Sequence, residues 1–187
     1  MTSDEALQLF RETGALLNGH FLLRSGLHSR EFFQCALALQ QMPIVERFGA
    51  AMAEKARKLG ATTVVAPAMG GLVIGQEIAR QLGLRFIFVE KEEGSLVMRR
   101  GFKLAKDEKV LITEDVVTKG GRVQETIDIV EATEASIAGI TVLVDRSGGK
   151  LCFDYPLLSL IQMNVEAFEP DNLPKDLQGT AAVKPGS

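Results

Sequence analysis

The chain has 187 residues, 46% hydrophobic and 24% charged, which suits one α/β domain of the usual ~100–200 residues and excludes a disordered or low-complexity protein. Its 21 basic and 24 acidic residues leave a net charge of -3. No global basic field points to nucleic acid, so any anion must be held by local groups.

In chain order, Ser3 is placed to cap a first helix with Leu7, Phe10 and Leu17 on one face. Ile44, Phe48, Met52, Ala56 and Leu59 keep helical spacing, and Gly60 supplies a stop. Residues 63–66 read as a buried strand. Ile74, Ile78 and Leu82 give another helix face that ends at Gly83, before a strand at 86–89. Residues 91–108 break this rhythm, being rich in Lys, Arg, Glu and Gly with little core pattern. Order returns with a strand at 110–113, a turn at Gly120-Gly121, a helix with Val123, Ile127 and Val130 inward, and a strand at 140–144.

Alternating helices and continuous apolar strands predict an α/β fold, a largely parallel sheet with helices on both faces. No repeat or linker divides the chain, so residues 1–187 read as a single domain. The stretch 170–187 has three prolines and few large apolar residues, and reads as a surface tail. Cys35 and Cys152 lie far apart without a CxxC spacing, which argues against a zinc site or disulfide framework. No apolar run approaches a membrane span, and the acidic start Met1-Thr2-Ser3-Asp4-Glu5 is unlike a signal peptide. The expectation is a cytoplasmic protein with no membrane or nucleic-acid partner.

The segment that carries chemistry runs from Val110 to Arg122. A hydrophobic strand leads into Glu114 and Asp115, then Thr118, the Gly120-Gly121 turn and a helix. In an open α/β sheet, ligands sit at the carboxyl ends of strands. A helix start there offers free N–H groups to a phosphate, glycines allow close backbone approach, and Thr118 adds a hydroxyl. The acidic pair would repel that phosphate. It suits the vicinal hydroxyls of a sugar instead, because ionised carboxylates only accept hydrogen bonds. The segment thus describes a ribose-phosphate holder, and it matches neither the Walker nor the GxGxxG spacing. The plainer reading is an acidic loop that caps a helix.

Glu114-Asp115-Val116-Val117-Thr118-Lys119-Gly120-Gly121 resembles the phosphoribosyl-pyrophosphate (PRPP) loop of type I phosphoribosyltransferases. Three further stretches resemble the orotate phosphoribosyltransferase family: residues 19–29 with their Phe-x-Leu-x-Ser-Gly-x-x-Ser pattern, Val89-Glu90-Lys91-Glu92 with Arg99-Arg100-Gly101-Phe102, and Val144-Asp145-Arg146. The resemblance covers roughly residues 10 to 150. It implies the type I fold with a small amino-terminal hood at 1–43, a mobile lid at 91–108, and Mg²⁺ held mainly by PRPP, with no metal ligand directly from the protein. It also implies the reaction of orotate with PRPP to give orotidine 5′-monophosphate and pyrophosphate, in a homodimer whose lid reaches the neighbouring subunit.

Residue by residue, Glu114 and Asp115 match the ribose-binding pair, and Val116, Val117, Thr118, Lys119, Gly120, Gly121 and Arg122 match the PRPP loop. Thr118 also matches a position that touches orotate. Arg146 matches the arginine that pairs with orotate, a role suited to bidentate contact with a planar carboxylate. Taken alone, Arg146 is an ordinary arginine at a strand end. Arg24 matches a basic position near the pyrophosphate and pyrimidine, and Phe32 and Phe33 match an aromatic pair beside the orotate ring. Two adjacent phenylalanines are otherwise core residues. His20 and His28 suit structural hydrogen bonds better than general-base roles.

Lys91, with Arg99, Arg100 and Lys103, would bring charge onto the departing pyrophosphate and exclude water; the competing reading is a solvated charged loop. Ala66-Pro67-Ala68-Met69-Gly70-Gly71-Leu72 matches a pyrophosphate-binding turn, and equally suits a tight turn that needs glycine for packing. Met69-Gly70 stands where some relatives carry Tyr-Lys, the lid lacks a Lys-x-His pattern, and Lys119 replaces a small residue or Thr. The tail has no thiol, so no tail metal is expected. Rival readings are a phosphoribosyltransferase for another base such as a purine, and a non-catalytic PRPP-binding regulator.

Overall fold

The structure is a computed structural model that describes residues 1–23 and 26–184. The chain opens with α1 (Ser3–Glu12), capped by Thr2 rather than Ser3. The Thr2 hydroxyl accepts from the Glu5 N–H at 3.2 Å, and the Glu5 carboxylate accepts from the Thr2 N–H at 2.7 Å, a reciprocal capping box. Leu17 is not on this helix. It lies on β1 (Leu16–Leu22), which pairs antiparallel with β2 (His28–Phe33) to form the amino-terminal hairpin. Next come α2 (Cys35–Leu39) and α3 (Met42–Ala56), with a 3-10 turn that ends at left-handed Gly60.

The main sheet follows with β3 (Thr63–Pro67), α4 (Gly70–Leu82), β4 (Arg85–Glu92), β5 (Ser95–Met98), β6 (Lys109–Val117), α5 (Gly121–Glu131), β7 (Ser136–Asp145) and β8 (Leu157–Gln162). Its order is β5-β4-β3-β6-β7-β8, parallel except for β5. Successive strand residues face opposite sides. Val64, Leu111 and Leu143 therefore join the core beneath α3 and α4, while Val65, Ile112 and Val142 join the core beneath α5. Both faces are covered, as continuous apolar strands require.

The last segment fastens the hairpin at both edges. Val183 bridges Phe21 in parallel, and Phe168 bridges His28 antiparallel. Leu177 is buried, and Arg30 pairs with Glu166 and Asp176. The Thr180 hydroxyl donates to the Leu177 carbonyl, so it accepts from His20 Nδ1 at 2.7 Å. His20 Nε2 then accepts from His28 Nδ1 at 2.5 Å. Both histidines are thus held in a structural chain.

Candidate active site at the carboxyl edge of the sheet

β3 and β6 are neighbours whose crossovers diverge. β3 continues through α4 to β4, whereas β6 continues through α5 to β7 on the opposite face. This is a topological switch point, where an α/β sheet opens a crevice at its carboxyl edge. The acidic pair lies at the end of β6, and the Gly70-Gly71 turn lies beside it at the start of α4. A Cβ on Gly70 would come within 2.6 Å of Asp115 Oδ1, and one on Gly71 within 2.6 Å of the Thr113 carbonyl. The glycines let the α4 turn close directly onto the carboxylates.

Glu114 is only 7% exposed and Asp115 is partly buried. Glu114 Oε1 accepts from the Asp115 N–H at 3.0 Å, and Asp115 Oδ1 accepts from the Val116 N–H at 2.7 Å. Burial, reinforced by Asp115, pushes the Glu114 carboxyl well above its ordinary range, with Arg122 partly opposing. Burial also pushes Asp115 up, against the hydrogen bonds from its neighbours. The fold therefore holds two carboxylates in a place that disfavours their charge, a pattern of functional sites.

Around the turn, Thr118 and Lys119 are exposed, while Val116 is partly buried and Val117 is buried. Gly120 is left-handed at φ 77°, and a Cβ there would meet Phe153 Cζ at 2.9 Å; only glycine satisfies both demands. α5 starts at Gly121 with no side-chain cap among the described residues and no acidic residue in its first turn. Its first N–H groups and dipole face the crevice edge. Arg122 in that turn lies 3.6 Å from Glu125, and its buried Nη1 has no hydrogen-bond partner among the described residues.

Arg146 follows β7, and its N–H donates to the Val117 carbonyl at 2.9 Å, which fixes it beside the end of β6. It is 8% exposed, and its buried Nε has no hydrogen-bond partner among the described residues. Burial lowers its pKa, while Cys35 and Glu31 oppose that shift. Glu31 of β2 and Cys35 of α2 thus act on Arg146 electrostatically. The two phenylalanines separate by strand alternation. Phe33 is 3% exposed and packs edge-on against Phe10 in the core, whereas Phe32 is partly exposed and contacts Phe21. Phe33 is thus a core residue, and only Phe32 remains available to a ligand. Arg24 lies outside the described residues.

The charged segment is more ordered than its composition suggests. Its first part forms the β4–β5 hairpin, turned by Glu93 and Gly94 at φ 47° and 99°, the paired positive values of a tight hairpin loop. Leu96 is buried against the α5 core, and its N–H donates to Glu125 at 3.3 Å. Lys91 is exposed on β4, past Val89 where β4 pairs with Pro67 at the same carboxyl edge. Arg99 and Arg100 are paired with Glu92 and Glu90, each at 2.9 Å. Cys35 and Glu31 carry no motif in the sequence; only the tertiary fold brings them within electrostatic reach of Arg146.

A family model described as a phosphoribosyl transferase domain matches residues 37–171. An orotate phosphoribosyltransferase of Desulforamulus reducens is 44% identical over 187 residues, covering 100% of this chain and 98% of that one. Another, from Maricaulis maris, is 46% identical over 190 residues with the same coverage. Among solved structures, orotate phosphoribosyltransferase from Aeropyrum pernix superposes with a TM-score of 0.67 at 22% identity, over 83% of this chain and 92% of that one. Adenine phosphoribosyltransferase from Thermoanaerobacter pseudethanolicus gives 0.63 at 20% identity, over 71% and 88%. These likenesses carry the type I fold, and the full-length sequence identity goes further: the chain belongs to the orotate phosphoribosyltransferase family.

Proposed function

We propose that this site transfers the 5-phosphoribosyl group of PRPP to orotate, giving orotidine 5′-monophosphate and pyrophosphate in pyrimidine biosynthesis. One observation carries the reading: an uncapped helix start, an acidic pair and a buried arginine with an unpartnered Nε converge on one sheet edge. Glu114 and Asp115 accept the ribose hydroxyls, Val116 and Val117 anchor the PRPP loop to β6, and residues 118–122 hold the 5′-phosphate through backbone N–H groups, Thr118 and Arg122. Lys119 adds charge at the exposed tip of that loop. Arg146 pairs with the orotate carboxylate, Thr118 touches the base, and Phe32 flanks the ring. Arg24 is assigned, by its match to the family pattern alone, to a basic position near the pyrophosphate and pyrimidine.

In the reaction, the bond from ribose C1 to pyrophosphate breaks and a bond from C1 to a ring nitrogen of orotate forms. Positive charge develops on the sugar while negative charge gathers on the leaving group, so the demand on the protein is electrostatic. The carboxylates beneath the sugar stabilise the cationic ring. Lys91 and the neighbouring arginines of the hairpin close over the diphosphate as a lid and exclude water. Arg99 and Arg100 exchange their present carboxylate partners for phosphate oxygens. A homodimer in the cytoplasm, with the lid shared between subunits, follows from the same reading.

Mg²⁺ fits this edge as a metal carried by PRPP. The 69–71 turn and the 118–122 loop offer N–H groups to phosphate oxygens, which suits a Mg²⁺ bound through substrate and water. When bound, Mg²⁺ supplies Lewis-acid stabilisation of the charge on the leaving diphosphate.

The test is a spectrophotometric assay of orotate consumption with PRPP and Mg²⁺, beside uracil, adenine and hypoxanthine. Turnover of orotate alone is expected; turnover of a purine without orotate would overturn the choice of base. Rapid kinetics of Lys91→Ala are expected to show a slowed chemical step, and an unchanged step would remove Lys91 from the mechanism.

A further inference from the structure

The stretch after Arg146 has no part in the transfer described above, yet it reaches the turn assigned to the phosphate. Its root is built at the end of β7. Asp145, 2% exposed, accepts from the Ser147 N–H at 2.8 Å and from Gln162 Nε2 of β8 at 3.3 Å. The Ser147 hydroxyl in turn accepts from the Leu151 N–H at 3.3 Å, which folds the chain back. Residues 151–156 then alternate, with Leu151, Phe153 and Tyr155 partly buried and Cys152, Asp154 and Pro156 exposed. The three inward side chains pack on the core beneath α5. Tyr155 lies at the far end of that helix, where its hydroxyl donates to Glu131 at 2.7 Å. Leu151 and Phe153 lie at the near end. A Cβ on Gly120 would stand 2.9 Å from Phe153 Cζ and 3.1 Å from Leu151 Cδ2, whereas one on Gly121 would meet nothing within 4 Å. The strap thus presses on the left-handed residue of the turn and leaves the next one open.

We propose that Phe153, with Leu151, is a positioning residue for the 5′-phosphate. These apolar side chains have nothing to offer a phosphate directly. They hold Gly120 in its left-handed conformation, so that the N–H groups at the start of α5 are aimed before the anion arrives. A glycine-containing turn without this support samples more conformations and must lose that freedom on binding. Because the strap is rooted beside Arg146, one segment also joins the corner assigned to the base with the turn assigned to the phosphate. This inference rests on residues 118–122 binding the 5′-phosphate, as argued above.

The probe is ribose 5-phosphate, which carries the sugar and the phosphate without the leaving group. Its affinity is measured by calorimetry, beside steady-state kinetics, for the unmodified chain, Phe153→Ala, Phe153→Leu and Gly120→Ala. Phe153→Ala should weaken ribose 5-phosphate binding and raise KM for PRPP roughly tenfold, the scale of ordering one backbone residue. Its kcat and its KM for orotate should stay near the unmodified values. Phe153→Leu, which keeps apolar bulk against Gly120, should recover most of the affinity. Unchanged affinity in Phe153→Ala, an equal rise in KM for orotate, or no recovery in Phe153→Leu would overturn the proposal. Should Phe153→Ala fail to fold, the unmodified chain decides. Nuclear Overhauser contacts between the Gly120 α-protons and the Phe153 ring should be present in the free protein and persist with ribose 5-phosphate bound. Their absence from the free protein, or their loss on binding, would contradict the proposal. The two readings fail separately. If Gly120→Ala leaves ribose 5-phosphate affinity intact, the phosphate loop itself is misassigned; if Gly120→Ala weakens binding and only Phe153→Ala is silent, the positioning role alone falls.

Discussion

The two edges of the same sheet treat their carboxylates in opposite ways. At the amino edge, Glu108 precedes β6 and is surrounded by donors. It accepts from the Thr63 hydroxyl, from Arg85 Nη1 at 2.7 Å and from the Ala105 N–H at 2.7 Å. Burial pushes its carboxyl up, yet these hydrogen bonds outweigh burial and hold it below the ordinary range. At the carboxyl edge, six residues along, Glu114 and Asp115 have few donors and are pushed up. One edge is satisfied by the protein itself, and the other is completed by what binds there.

The largest expected effect comes from removing the unsatisfied pair. Glu114→Ala with Asp115→Ala should lower kcat/KM for PRPP by about a thousandfold, the scale of two hydrogen bonds to charged groups. The same double variant should be more stable at neutral pH. Both carboxyls titrate above their ordinary values in the fold, so between those values and the raised ones the native chain binds more protons than the unfolded one. Stability therefore falls as pH rises through that window, and calorimetry of the double variant should show that slope removed. A loss of stability with near-normal PRPP affinity would break the comparison.

Next in size, Arg146→Ala should raise KM for orotate roughly 10- to 100-fold, the span of one charge-assisted contact, while KM for PRPP changes little. An equal rise in both constants would place Arg146 with the sugar instead. Smallest is Glu108→Gln at the satisfied edge. It should cost about 1 kcal/mol of stability in denaturant titration and leave turnover unchanged. The sign is opposite to that of the active edge: the contribution of Glu108 is present above the ordinary carboxylate value and is lost as pH falls through its lowered folded value.

Much of this architecture was legible in the chain. The strands at β3, β4, β6 and β7 announce themselves as apolar runs, and the 3-10 turn after α3 and the helix α4 end at Gly60 and Gly83, both left-handed in the fold. The loop at 114–122 could be read because its residue types are close in sequence and their chemistry is local. What escaped depends on distant partners. β1 is interrupted by a bulge between Asn18 and Phe21, β2 carries His28, Arg30 and Glu31 among its six residues, and β5 is a short edge strand, so none has a long apolar run. The fastening of the hood by Val183 and Phe168 is made of isolated bridges without periodicity. Phe32 and Phe33 look alike in sequence, and only strand alternation sends one to the core.

The most direct measurement is a crystal structure with PRPP and Mg²⁺ bound. The ribose hydroxyls are expected on Glu114 and Asp115, with the 5′-phosphate against the N–H groups of residues 118–122 at the start of α5. PRPP seated elsewhere, with that loop and the acidic pair left in their present contacts, would contradict the account.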